Sequence, residues 1–271
     1  MYIFEIVVPG TQLDFRCPTP RASWDMESML DSLKTLFFEA NLALNLFERS
    51  MNVPDPDPTL AQYDRQMSRL REIEQLVEQE NESLTSSQKY DPGLEARARL
   101  KREEWATGKP PTEFEHQISF LYAKAFLSAL DGFDRLLKVV AETDGVPQAI
   151  AGLHASLETA FPDLRGVRNS AQHHEDRVRS QGVGGRPLDL QPITNGMVPP
   201  ELPVLALNNI EGSKFCTTMA NGHYGEVDIT PESMAALRDI LQEVLGAFIW
   251  TGPKQALPSA PRLALLYRDD A

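Results

Sequence analysis

Apolar residues recur at steps of three and four along most of this chain, and that spacing restricts its fold more than any other feature. The clearest run spans residues 24–49. Its apolar side chains occupy seven positions on one helical face: Met26, Leu30, Leu33, Phe37, Ala40, Leu44 and Phe47. Because a helix completes a turn in about 3.6 residues, this run predicts a long helix that buries one face against other elements.

The same spacing predicts three more long helices. One follows Asp57-Pro58, and its apolar face is Leu60, Tyr63, Met67, Leu70, Ile73 and Val77. A second opens at Thr112, where Glu115 completes a capping box, and extends to about residue 143. Its predicted face is Phe114, Ile118, Leu121, Ala125, Leu130, Phe133, Leu137 and Val140. The last follows Thr230-Pro231, and its face is Met234, Leu237, Leu241, Leu245 and Phe248.

Shorter helices are predicted between these. A charged helix from Asp91-Pro92 to about residue 105 lies in a polar region that we expect to face solvent. Another covers residues 147–160. Pro162 then begins a helix that is expected to carry residues 168–179 without interruption.

Strand patterns are confined to two places. Residues 1–22 are predicted to form a strand and an extended segment. Residues 204–207, 214–219 and 223–229 read as strands, and Asn221-Gly222 between the last two is typical of a type I′ hairpin turn. A glycine- and proline-rich loop at 180–203 precedes them.

These patterns predict a mainly α protein: an antiparallel helical bundle with a small C-terminal antiparallel hairpin or three-stranded sheet. The helical domain is expected at residues 23–250, with the β insertion at about 203–229 and an irregular tail at 251–271.

Composition narrows the classes of function. The formal net charge of −13 argues against binding nucleic acid over the whole surface. Cys17 and Cys216 lie far apart without a Cys-x-x-Cys pair, so neither a disulfide framework nor a zinc knuckle is predicted. No apolar stretch is long enough for a signal peptide or membrane span, and we therefore expect a cytoplasmic protein with no membrane partner.

One segment combines residues that suit chemistry on phosphate. Arg168 and Asn169 are followed, after three intervening residues, by His173. Between residues 161 and 186 the chain has five arginines and three acidic residues, so this part is locally basic within an acidic protein.

This motif resembles the catalytic signature of HEPN (higher eukaryotes and prokaryotes nucleotide-binding) domains, in which arginine and a polar residue precede a histidine. The resemblance extends over about residues 24–250, although only the six-residue motif is specific. It implies a helical bundle, metal-independent endoribonuclease activity, a role as a toxin or defence effector, and pairing of two protomers that brings both motifs into one cleft. Single-stranded RNA would be the substrate, and an antitoxin or another protein a further partner.

The residue types fit that chemistry. Histidine titrates near neutrality, so His173 is the candidate proton carrier. A guanidinium binds phosphate through a planar fork and stays charged, which makes Arg168 the candidate phosphate clamp. Asn169, four residues before His173, is the candidate residue that orients the imidazole.

Ideal helix geometry separates two of these groups. Five residues at roughly 100° each place Arg168 and His173 about 140° apart, so a symmetric homodimer is predicted to complete the site. His174 also fits the motif spacing and is an alternative histidine, while Arg165 and Arg177 are accessory candidates.

Two other interpretations stay open. The segment can be a solvated helix face, or the chain can be a non-catalytic HEPN-like module that binds nucleotide or a protein partner. No metal or cofactor is predicted: Glu113 and His116 lack the second Glu-x-x-His that di-iron bundles need, and consecutive helical residues from His173 to Asp176 are expected to diverge. His154 and His223 are interpreted as structural.

Overall fold

The computed structural model describes residues 1–15, 20–52, 60–86, 89–193 and 204–259. Its helices are α1 Pro20–Met51, α2 Leu60–Glu82, α3 Pro92–Ala106, α4 Thr112–Ala141, α5 Ala149–Ala160, α6 Leu164–Gln172, α7 His174–Val178 and α8 Pro231–Ala247. Its strands are β1 Ile6–Val8, β2 Gln12–Leu13, β3 Asn209–Glu211, β4 Lys214–Thr218, β5 Tyr224–Asp228, β6 Trp250–Thr251 and β7 Gln255–Leu257. The prediction of a mainly helical chain with a small antiparallel sheet is confirmed.

The chain divides into two compact units. The first comprises Met1–Arg49 and Phe120–Ala271, and the second comprises Ser50–Ser119. The motif and the sheet both belong to the first unit.

The core of the first unit draws on α1, α4, α5, α6, α8 and the sheet. All seven residues predicted for the apolar face of α1 are buried, as are all five predicted at the last helix. Phe37, Phe126, Phe133 and Phe215 are among the largest side chains without solvent contact. Helical periodicity therefore identified the main core faces of α1 and α8 correctly.

The face predicted for α4 is correct only in its second half. Leu130, Phe133, Leu137 and Val140 are buried, but Phe114, Ile118, Leu121 and Ala125 are exposed. The buried stripe instead continues backwards through Leu127, Phe126 and Ala123. The predicted set contains a step of five between residues 125 and 130, and such a step moves the stripe to another side of the helix.

The three-stranded sheet has the order β3–β4–β5 and is antiparallel. The hairpin predicted at Asn221-Gly222 is present, but its turn is not type I′. The amide of Gly222 donates to the carbonyl of Met219, and among the residues of this turn Gly222 alone has positive φ, at 83°. This is the geometry of a three-residue loop that ends in a left-handed glycine. The strand predicted at 204–207 is absent, and β3 begins at Asn209 instead.

Helix α6 is packed on this sheet. Val167 is fully buried, and a Cβ placed on Gly225 of β5 would come within 2.9 Å of its methyl carbon. Asp163, just before α6, accepts a hydrogen bond through Oδ2 from the amide of Glu226 at 3.1 Å. The sheet therefore fixes where the helix with the motif begins.

The two chain ends also pair. Strand β1 is antiparallel to β7, and β2 is antiparallel to β6. The tail after residue 250, expected to be irregular, thus contributes β7, because its backbone N–H and C=O groups find partners on the N-terminal segment. Residues 260–271 of that tail lie outside the described residues.

The second unit contains the α2–α3 pair. Ile73, Val77 and Ala96 form its small core. Arg99 binds Glu80 at 2.6 Å, and its hydrogen bonds lower the pKa of the Glu80 carboxyl. The predicted face of α2 extends too far towards its start, since Leu60 and Tyr63 are exposed.

Candidate functional site

A break in the helix changes the geometry of the motif. Helix α6 ends at Gln172 and α7 begins at His174, while His173 between them has φ −96° and ψ 47°. The expectation of one uninterrupted helix through residues 168–179 is therefore wrong, and the 140° separation on an ideal helix does not apply. The amide of His173 still donates to the carbonyl of Asn169 at 2.9 Å, which closes the last turn.

Arg168 is held by a buried carboxylate of α4. Its Nε lies 3.0 Å from Oδ2 of Asp131, and Arg135 Nη2 lies 2.7 Å from the same oxygen. Asp131 Oδ2 and Arg168 Nε are buried and have no hydrogen-bond partner of good geometry, so their contact is an ion pair rather than an aligned hydrogen bond. Arg168 Nη1 donates to Asn169 Oδ1 at 3.1 Å.

Arg168 and Asn169 line a cleft of about 380 Å³ between α4, α5 and α6. That volume lies within the range of about 300–1,000 Å³ that is usual for ligand sites. The cleft has four basic side chains, Arg135, Lys138, Arg165 and Arg168, and three acidic ones, Asp131, Asp134 and Glu158. Arg135 and Arg168 both contact Asp131, and Lys138 Nζ lies 3.8 Å from Glu142 Oε1, so three of these four cations already have an acidic neighbour.

A histidine also lines this cleft, and it is not the one in the motif. His154 of α5 lies with Nε2 at 3.0 Å from Asp134 Oδ1 of α4. Their side chains are 17% and 21% exposed, so the pair is largely shielded but reachable. His154 was interpreted as structural from the sequence. One feature of the sequence could have pointed to a polar site here: Asp131 and Asp134, three residues apart, interrupt the apolar stripe of α4.

His173 lies outside the lining of the cleft. Its side chain is 60% exposed, with Nδ1 at 3.6 Å from Glu175 Oε1. Ligand atoms of His173, Glu175 and Asp176 lie within 4.8 Å of one another, so the expectation that these residues diverge is wrong. That expectation assumed consecutive positions on one helix, whereas the backbone at His173 is not helical.

The accessory candidates have different surroundings. Arg165 lines the cleft. His174 is exposed, and its Nδ1 lies 3.3 Å from Asn208 Nδ2. Arg177 is only 3% exposed: its Nε donates to Ser170 Oγ at 3.1 Å and its Nη1 donates to the carbonyl of Gln181. Arg177 therefore ties α6 to the turn after α7.

A second polar cavity, of about 680 Å³, lies on the sheet beside Lys214, His223 and Glu226. Cys216 beneath it is fully buried, and burial raises the pKa of its thiol. Burial and the neighbouring thiol also raise the pKa of Tyr224. The ligand atoms of Cys216, Glu211 and Glu226 lie within 4.8 Å of one another, in the range of a metal site, although Lys214 Nζ already binds Glu226 at 2.6 Å.

No family model, curated protein or solved structure matches this chain. Among the described residues, none of the helices is both long and apolar enough to cross a membrane.

Proposed function

We propose that the protein is a metal-independent endoribonuclease of the HEPN type, with the substrate phosphate bound in the cleft between α4, α5 and α6. One observation carries the proposal: Arg168 and Asn169 of the motif line this cleft beside Arg135, Lys138 and Arg165. With four basic and three acidic side chains, the cleft is slightly basic on a chain of net charge −13, and this local excess supports an anion site there.

Arg168 would act on phosphate through its terminal nitrogens. The ion pair of Nε with Asp131 and the hydrogen bond from Nη1 to Asn169 together position the guanidinium, which has further N–H groups beyond these two. A charged fork that is fixed before substrate binds is well suited to the negative charge that develops on a phosphate in the transition state.

His173 would act on a neighbouring protomer. In a symmetric homodimer whose motifs face each other, its exposed imidazole would approach the cleft of the second copy. Such an enzyme would suit a toxin or defence effector that is restrained by an antitoxin.

The test is cleavage of single-stranded RNA in EDTA. Arg168→Ala is expected to lower the rate by about 100-fold or more, the magnitude typical of losing one charged donor. Arg179→Ala is the matched control, since Arg179 is 60% exposed, binds Asp176 and does not line the cleft. Circular dichroism of each variant checks folding. Equal rates for wild type and Arg168→Ala would refute the proposed role of the motif.

A second candidate is a non-catalytic HEPN-like module that binds nucleotide or a protein partner. The position of His173 outside the cleft, together with the engagement of Arg168 by Asp131, favours it. This alternative predicts that RNA or nucleotide binds to the protein and is recovered uncut.

A further inference from the structure

We infer that His154, held by Asp134, is the group that transfers protons in the cleft. The inference rests on the proposed function and adds two residues that the motif does not contain. It places the proton carrier on the same chain as Arg168, and it replaces the role proposed above for His173 of a second copy.

The position of His154 in the cleft is the first argument. Among the described histidines, His154 is the one that lines the cleft with Arg168 and Asn169. It comes from α5, the arginine from α6 and Asp134 from α4, so three helices bring a proton carrier, a cation and an orienting carboxylate to one space. This is the arrangement expected of acid–base catalysis at a phosphate.

The tautomer of the His154 imidazole is the second argument. An ionised carboxylate only accepts hydrogen bonds, so Asp134 Oδ1 at 3.0 Å selects the imidazole with its proton on Nε2. The lone pair is then on Nδ1, which makes no hydrogen bond to any other described residue. A carboxylate that holds one nitrogen of an imidazole, and leaves the other to act as a base, is the arrangement used in catalytic triads.

The chemical step balances without a co-reactant. The 2′-hydroxyl of RNA gives its proton to Nδ1 while its oxygen bonds to phosphorus. The bond from phosphorus to the 5′-oxygen breaks, and the leaving oxygen takes a proton from the imidazolium. The products are a 2′,3′-cyclic phosphate and a 5′-hydroxyl. Arg165 and Arg168 would oppose the charge on the phosphate throughout.

The central experiment removes the imidazole and supplies it again. His154→Ala is expected to lower RNA cleavage in EDTA by about 100-fold or more, the usual contribution of acid–base catalysis. Free imidazole should restore part of the rate, because the space beside Asp134 is then vacant. His116→Ala is the control, since His116 is exposed at the start of α4 and does not line the cleft.

Asp134 acts through His154 and is a positioning residue. Asp134→Asn is expected to lower the rate by about 10-fold or more, because an amide no longer dictates the tautomer. Asp134→Glu keeps a carboxylate and should recover part of the loss, which a purely structural role would not predict.

The outcomes separate the inference from the proposed function. If the wild type does not cleave RNA, the proposed function and this inference fail together. If the wild type cleaves and His154→Ala cleaves equally well, the inference alone fails. A folded His154→Ala variant whose lost activity imidazole does not restore would assign His154 a structural role and also overturn it.

Discussion

The ion pair between Asp131 and Arg168 should contribute measurably to the stability of the first unit. The Asp131 side chain is 5% exposed and that of Arg168 is 16% exposed, with 3.0 Å between Oδ2 and Nε. Removing one partner of a buried pair costs about 3–5 kcal/mol because the other charge is left uncompensated. Arg135 contacts the same oxygen but is 61% exposed, so it offsets part of that cost. Arg168→Ala should therefore lower the free energy of unfolding by about 2–3 kcal/mol.

A double-mutant cycle isolates the pair from other effects of the substitutions. Asp131→Asn in the Arg168→Ala background removes the stranded charge, so the double variant should be more stable than the two single losses predict, by about 1 kcal/mol or more. Arg179→Ala serves as the control for loss of an exposed arginine.

Urea unfolding of the intact chain provides the measurement. Since the second unit contains Trp105, a Trp105→Phe background leaves Trp24 and Trp250 to report on the first unit. If the losses of the two single variants sum to the loss of the double variant within about 0.3–0.5 kcal/mol, the reasoning is refuted, because the two charges then do not interact.

Three further predictions concern the core, the hairpin and the buried thiol. Phe133→Ala should lower the free energy of unfolding by about 3–5 kcal/mol in urea titrations, because Phe133 is fully buried. Gly222→Ala should lower the melting temperature, since Gly222 has φ 83° and a Cβ would collide with the carbonyl of Asp189; an unchanged melting temperature would contradict this turn geometry. In a Cys17→Ser background, Cys216 should react far more slowly with a disulfide reagent in the folded protein than in urea. Because burial raises the pKa of the Cys216 thiol, this thiol loses its proton at lower pH in the unfolded chain than in the folded protein. The free energy of unfolding should therefore fall as pH rises above about 8.5. In urea titrations at several pH values, Cys216→Ala should lack this contribution to the pH dependence.

Helix periodicity predicted the buried faces of α1 and α8 because each has an unbroken three–four spacing. It failed for the first half of α4, where apolar residues occur on more than one side of the helix and Phe114 is left exposed. The choice between such faces depends on what packs against the helix, and local spacing does not contain that information.

The motif was only partly predictable. Two of the residues that its sequence singled out, Arg168 and Asn169, line one cleft. It did not reveal that the helix stops at Gln172, so the expectation of one continuous helix through His173 was wrong. Buried Arg177 bonds to Ser170 and Gln181 and so joins α6 to the segment after the break, an arrangement that the helical spacing did not predict.

By itself, the sequence determined the helical class of this protein, the main core faces and the segment that carries the motif. These follow from spacing, caps and turn residues, which act over a few positions. Only the tertiary structure decided that Asp134 meets His154, that Asp131 holds Arg168, and that His173 does not line their cleft. Each of these depends on how α4, α5 and α6 pack together, and side chains 20 or more positions apart are brought together by that packing.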